Sequence, residues 1–267
     1  MPRSVLSYPL QVRDRRVLVP IGVPCPYRCG YCYAPEIEPS APIDPASIVD
    51  AVHTLDPSSF DVIQLGYDGD PVASLGAMRA LLPGLAATGR HINVSTKARI
   101  SERAAAVLAS AHQATGAGVS LNVSMSCWDS AAVLEAGTPH PQSRLDGARD
   151  LLASAGVPFV VALRPILPKV GDDEVAQIIS GARDAGATGL VTGPLYATED
   201  EAELMEPGLV ISEHRHATAV GWSPLPLERV RILDDDRVAR IRAMAEGLGV
   251  RHFTNNAQAL SEMMRHE

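Results

Sequence analysis

The chain has 267 residues, 46% of them hydrophobic, and a formal net charge of −8. It can bury one large core, and no apolar stretch approaches the roughly 18 residues that cross a bilayer. A negative balance without a clustered cationic surface does not track a phosphate backbone, so a nucleic-acid partner is not expected; a soluble, cytoplasmic protein acting on a small molecule is.

Short β-branched runs alternate with helical patterns from Val17 to about residue 195. The predicted strands are Val17 to Val23, Asp61 to Leu65, His91 to Ser95, Gly118 to Val123, Phe159 to Leu163 and Gly189 to Thr192. Between them, Leu75, Met78, Leu81, Leu82 and Leu85 recur at helical spacing, as do Leu145, Ala148, Leu151 and Leu152, and then Val175, Ile178, Ile179 and Ala182. This rhythm predicts βαβ units on a parallel sheet, and six strands suit an α/β fold of the incomplete (β/α)6 TIM-like barrel kind over residues 1–198. Past Glu199 the pattern weakens through a turn-rich stretch, Glu206 to Leu227, and helical spacing resumes at Val238, Ile241, Ala245 and Leu248. Residues 199–267 are therefore expected to form a C-terminal extension that completes or caps a substrate pocket. Arg229, Arg231, Arg237, Arg240 and Arg242 alternate with Asp234, Asp235 and Asp236, which predicts a solvated, salt-bridged face.

In such barrels chemistry gathers at the C-terminal ends of the strands. After the first strand comes PCPYRCGYCYAP, which holds Cys25, Cys29 and Cys32 in a C-x3-C-x2-C spacing. Three thiolates in one tight loop point to a metal centre with one position left open. A closed zinc site would have to borrow a distant ligand, for example Cys127. A disulfide pattern leaves one thiol over, and a ferredoxin-type run is one residue tighter.

The second strand leads into GYDGDP, Gly66 to Pro71, with Pro71 suited to the first turn of the next helix. The third ends in VSTKA, placing Lys97 on the rim, and the fourth ends near Ser124 with Cys127 just beyond. Glu135 and Arg144 flank the turn AGTPHP as a possible pair, and the fifth strand runs into Arg164 and Pro165. His214 and His216 stand in a polar loop and are expected to face solvent rather than hold metal.

The cysteine spacing, with the aromatic Tyr31 just before its last member, resembles the signature of the radical S-adenosylmethionine (SAM) superfamily. That resemblance implies a 4Fe-4S cluster on Cys25, Cys29 and Cys32, whose unique iron chelates SAM, and a flavodoxin or ferredoxin-type electron donor. It implies reductive cleavage of SAM to methionine and a 5'-deoxyadenosyl radical that takes hydrogen from a substrate. CGYCYAP, GDP, STK, the Ser124 strand, EAGTPHPQSRL and VALRPILP together look like the spore photoproduct lyase branch, over about residues 17 to 185. By that resemblance the Gly66 to Pro71 segment, including Gly69, meets the methionyl amino group through backbone carbonyls. Tyr33 seats the adenosyl group, Asp70 and Ser124 bond SAM polar atoms, Lys97 holds its carboxylate, and the segment around Arg164 lines the adenine. The lyases carry a hydrogen-donor cysteine just before GDP, where this chain has Tyr67. Thymine-dimer repair is therefore set behind a small, possibly nucleoside-like or natural-product substrate, and Tyr67 and Cys127 stand as candidate hydrogen donors. Lesion repair, peptide modification and a non-catalytic zinc or iron-sulfur binding protein are the alternatives.

Overall fold

The computed structural model describes residues 10–37, 41–198, 201, 216–219 and 228–265. Strands β1 (Gln11–Arg13) and β2 (Arg16–Val19) form a hairpin whose turn residues, Asp14 and Arg15, both have positive φ. Strands β3 (Arg28–Cys29), β4 (Val62–Leu65), β5 (His91–Thr96), β6 (Val119–Met125) and β7 (Glu135–Ala136) follow. After them come β8 (Phe159–Leu163), β9 (Leu190–Thr192), β10 (Leu195–Ala197), β11 (His216–Ala219), β12 (Glu228–Ile232) and β13 (His252–Phe253). The helices are α1 (Ala34–Ile37), α2 (Pro45–His53), α3 (Leu75–Ala86), α4 (Glu102–Thr115) and α5 (Ala131–Leu134). They continue with α6 (Pro141–Ala155), α7 (Asp172–Asp184), α8 (Asp235–Gly247) and α9 (Asn256–Met263).

The main sheet runs β1-β2-β4-β5-β6-β8-β9-β13, and every pair from β2 to β13 is parallel. Neighbours in space are neighbours in sequence, which is the order of a barrel rather than of a doubly wound sheet. All six predicted strands are present. The first is shorter than expected, because Pro20 follows Val19 directly and cannot donate to the ladder. Two more strands extend the sheet: β1 on one edge, and β13 from the C-terminal segment, which pairs with β9.

The strands alternate strictly. Val17, Val19, Ile63, Leu65, Val94, Leu121 and Val161 point to the helical layer and form the main core with Met78, Leu81, Leu145, Ile178 and Ile241. The other face carries Gln64, Asn93, Ser95, Ser120, Asn122 and Ser124, so the barrel interior is polar along β4 to β6. A side-chain ladder crosses it: His91 Nε2 lies 2.8 Å from Ser120 Oγ, Asn93 Nδ2 donates to the same oxygen at 2.9 Å, and Asn122 Nδ2 donates to Asn93 Oδ1 at 3.0 Å. Helix α9 fills the interior near the strands' N-terminal ends, where Ala259, Leu260 and Met263 pack on Val62, Val160, Ala162 and Val191. The C-terminal segment therefore supplies a strand and an interior plug.

Two expectations are corrected. Pro71 lies four residues before α3, in a turn closed by the Ser74 N–H on the Asp70 carbonyl. Arg229 and Arg237 do not belong to a solvated face, since each is 8% exposed. Arg237 donates to the carbonyls of Leu167, Pro168 and Val170, and Arg229 pairs with Glu36. Orphan carbonyls of a buried connection need donors, and a guanidinium provides several at once.

Candidate functional site

The cysteine loop emerges from β2 and is braced from both sides. Its residues Arg28 and Cys29 pair antiparallel with Ala136 and Glu135, and Gly30 N–H donates to the Leu134 carbonyl at 3.0 Å. Within the loop, Arg28 Nη1 donates to the carbonyls of Cys25 and Tyr27, and Cys32 N–H to that of Cys29. Cys25 and Cys29 are half-buried, Cys32 is exposed, and none is in a disulfide. Burial pushes the Cys25 thiol up to about 11 and that of Cys29 to about 12, so a metal loaded here must release protons.

All three cysteines line one cavity of about 220 Å3, together with Gly69, Asp70, Lys97 and Ser124. Among the described residues, no three His, Cys, Asp or Glu side chains are arranged to hold a metal ion. That bears on a mononuclear ion; in a cubane each thiolate serves its own iron and the three sulfurs stand apart. Three thiols around one hollow, with no carboxylate or imidazole completing a tetrahedron, fit a cluster better than zinc.

A second cavity of about 540 Å3 occupies the lumen and shares Cys32, Gly66, Tyr67, Ser95, Lys97 and Ser124 with the first. Tyr31, Tyr33 and Arg164 line this larger cavity. Gly66 turns the chain out of β4 at φ +96°, and a Cβ there would lie 2.3 Å from the Ser95 carbonyl oxygen, so only glycine fits.

Asp70 acts as a bracket. Its buried carboxylate accepts from Ala73 N–H at 3.0 Å, Thr96 Oγ1 at 2.7 Å and Lys97 N–H at 2.6 Å, tying the loop after β4 to the end of β5. Burial lifts its pKa while those donors pull it back. These bonds hold Asp70 in the wall of the cavity that the three cysteines line, with Oδ2 taking a single donor.

Lys97 stands at the junction of the cavities. Its ammonium donates to Ser124 Oγ at 2.9 Å and to Glu135 Oε1 at 2.8 Å and lies 5.7 Å from the Tyr31 ring centroid. Glu135, fully buried, is a hub with more partners than the Arg144 expected from its spacing. It accepts from Tyr31 Oη at 2.5 Å and from Ser126 N–H at 3.0 Å, and Arg144 Nη1 approaches its second oxygen at 2.6 Å. That approach is an ion pair rather than an aligned hydrogen bond: this carboxylate oxygen has no hydrogen-bond partner, while the same nitrogen donates to the Ser124 carbonyl at 2.9 Å. Burial would raise Glu135, but Lys97 and Arg144 overrule it and hold the carboxyl at about 2. Tyr31 is thus fixed by its hydroxyl behind the cysteine loop, its own pKa raised by burial and by Glu135.

The two candidate hydrogen donors part ways. Tyr67 lines both cavities. Cys127 is 0% exposed, lies within the hydrophobic core and lines neither; burial pushes its thiol up to about 12. His140 caps α6 by accepting from Gln142 N–H, and His214 and Arg215 lie outside the described residues. The Glu135 hub had a sequence signal only in its spacing from Arg144, and the polar lumen had one in the alternating INVS and SLNVS runs.

No protein-family model matches the chain. The uncharacterized proteins Rv2578c of Mycobacterium tuberculosis and Mb2609c of Mycobacterium bovis are each 28% identical to it over 192 residues, 64% of this chain and 56% of theirs. The chain thus spans little more than half the length of these curated relatives. Among solved structures, a spore photoproduct lyase mutant with bound AdoMet and dinucleoside spore photoproduct matches at TM-score 0.66 and 13% identity, over 92% of this chain and 76% of that one. TsrM from Kitasatospora setae, a radical S-adenosylmethionine methyltransferase solved with cobalamin and a [4Fe-4S] cluster, matches at TM-score 0.56 and 15% identity, over 86% and 50%. At such identities the likeness establishes the fold: this chain has the partial barrel of those enzymes.

Proposed function

We propose that the protein is a radical SAM enzyme. The observation that carries this reading is the convergence of Cys25, Cys29 and Cys32 on one cavity that opens, past Lys97 and Ser124, into the barrel lumen. When bound, a 4Fe-4S cluster with SAM supplies a 5'-deoxyadenosyl radical able to take hydrogen from an unactivated C–H bond. Lys97, oriented by Glu135 and Ser124, holds the SAM carboxylate, and Tyr31, pinned through its hydroxyl, keeps the cysteine loop in register. The backbone around Gly69 faces the methionyl amino group, Tyr33 seats the adenosyl group, and the segment at Arg164 borders the adenine. Tyr67, on the wall of both cavities, is the side chain placed to return a hydrogen atom. The substrate is a small molecule held in the lumen, the electron comes from a flavodoxin or ferredoxin-type donor, and the setting is cytoplasmic; among the described residues no helix is long and apolar enough to cross a membrane.

Anaerobic reconstitution with iron and sulfide tests this reading. It should give a brown protein with about four irons, and the dithionite-reduced protein should release 5'-deoxyadenosine from SAM. Replacing any of the three loop cysteines by Ala should abolish both. Tightly held zinc with no iron uptake overturns the assignment.

A further inference from the structure

The wall of the lumen away from the cysteines carries cations that the described residues leave largely uncompensated. Five charged side chains line the larger cavity: Arg13, Arg16, Lys97 and Arg164 against Asp14. In a chain of net charge −8, that local excess of cations is the reverse of the global balance. Lys97 has its counterion in Glu135. Among the described residues, Arg16 and Arg164 have no equivalent buried carboxylate.

Arg16 begins β2 and points inward, its side chain 22% exposed. Nη1 donates to the neutral Gln64 Oε1 at 3.3 Å, and Nη2 reaches Asp14 Oδ2 only at 3.5 Å, on a side chain that is 81% exposed. Its Nε is buried without a hydrogen-bond partner. Arg164 follows β8 and lies flat on Gly193, where a Cβ would come within 2.8 Å of its Cγ and Nε. Its Nε donates to the Thr192 carbonyl at 3.1 Å, which fixes the shaft, and no carboxylate among the described residues pairs with it. Burial first, and then repulsion from Arg16, lower Arg164 to about 10, so the two guanidiniums feel each other and Arg164 keeps its charge at neutral pH. The first turn of α9, at Asn255 and Asn256, enters the same wall and turns the positive end of that helix toward it.

Accepting the radical SAM reading, we propose that the substrate carries an oxyanion, a phosphate or a carboxylate, that seats between Arg16 and Arg164 on this wall. Guanidinium forks match either group, and the ion pair would supply the counterion that the described residues do not. Anchoring one end of the substrate there turns its remainder toward Lys97 and Tyr67, so the anion decides which carbon is presented at the junction of the two cavities.

The test needs neither iron nor SAM. The purified protein is titrated with methyl phosphate and, separately, with acetate, following ligand line-broadening by phosphorus and proton NMR. Saturable binding of at least one probe is expected; tighter methyl phosphate marks a phosphate-bearing substrate, and acetate of equal or greater strength marks a carboxylate. Arg16→Gln should weaken that binding about tenfold or more, with partial recovery in Arg16→Lys. Gly193→Ala, which keeps every charge but displaces the Arg164 shaft, should weaken it too, and thermal melts of both variants check that they fold. Saturation by neither probe, or affinity unchanged in both variants, overturns the proposal. Because binding is read without cofactors, a protein that takes up no iron but binds the anion fails only the radical SAM reading, and the reverse result fails only this one.

Discussion

Replacing Glu135 by Gln should be among the most damaging single changes in the site, and its size can be worked from the structure. The carboxylate and Arg144 are both completely buried, and Lys97 is 15% exposed. Glu135→Gln leaves two cations facing one another without a counterion, and breaking such a buried pair costs about 3–5 kcal/mol. A second route gives a similar figure: a carboxyl held at about 2 against an ordinary value of 4.5 corresponds to about 3 kcal/mol at neutral pH. For a domain of this size each kcal/mol moves the melting temperature by about 2–4 °C, so a fall of about 6–20 °C is expected. The folded pKa lies below the unfolded one, so this stabilisation is complete above about pH 4.5 and is lost as pH falls toward 2. Urea denaturation at neutral pH and across the acid limb measures both, and the variant should show a flatter acid limb than the parent. A loss below about 1 kcal/mol, the worth of an exposed pair, would refute the hub, because it would mean that water already screens these charges.

Lys97→Ala should weaken SAM binding about tenfold with iron content intact. That is the low end for a lost charge-assisted hydrogen bond, because Glu135 already shares the ammonium; an unchanged dissociation constant by equilibrium dialysis removes Lys97 from the site. Cys127→Ala should lower stability by about 1–3 kcal/mol while leaving product identity untouched, as expected of a thiol packed in the core. Diverted or reduced products on mass spectrometry would instead place that sulfur on the reaction path. Tyr67→Phe keeps the ring and removes the phenolic hydrogen, so with the true substrate it should divert products or slow the hydrogen-return step; a normal product distribution excludes Tyr67 as an obligatory donor.

Much of the barrel was legible because its strands are short β-branched runs separated by strong helical stripes. Helix α4 was harder to see: ERAAAVLASAHQAT is alanine-rich, and its apolar stripe barely differs from its solvent face, although Ser101 caps its start and Gly116 its end. The contribution of β13 was hidden for another reason, since two residues, His252 and Phe253, carry no period. The cysteine loop could be read because its chemistry is local. The Glu135 hub could not, because it joins residues from the loop, from β5's end and from α6, a coincidence that only tertiary packing creates. Arg240 and Arg242 are exposed and Arg240 pairs with Asp172, as a run of alternating charges suggests, but Arg229 and Arg237 are buried, which nothing in the run reveals without knowing which carbonyls lie above it.

The three inward-facing cations near the lumen illustrate why counterion geometry says more than composition. Lys97 is matched to a buried carboxylate that cannot leave, so it is held in place before any ligand arrives, and an incoming carboxylate gains orientation more than charge neutralisation. Among the described residues, Arg16 and Arg164 meet only neutral oxygens and one exposed aspartate, so an anion arriving there gains charge neutralisation in a partly desolvated wall. Raising salt should therefore separate the two sites. Affinity for a simple anion at the arginine wall should fall steeply with ionic strength, whereas SAM, itself zwitterionic with a sulfonium and held by a braced lysine, should lose much less. Parallel salt dependence of the two would mean that Lys97 is as unmatched as the arginines, contrary to its 2.8 Å contact with Glu135.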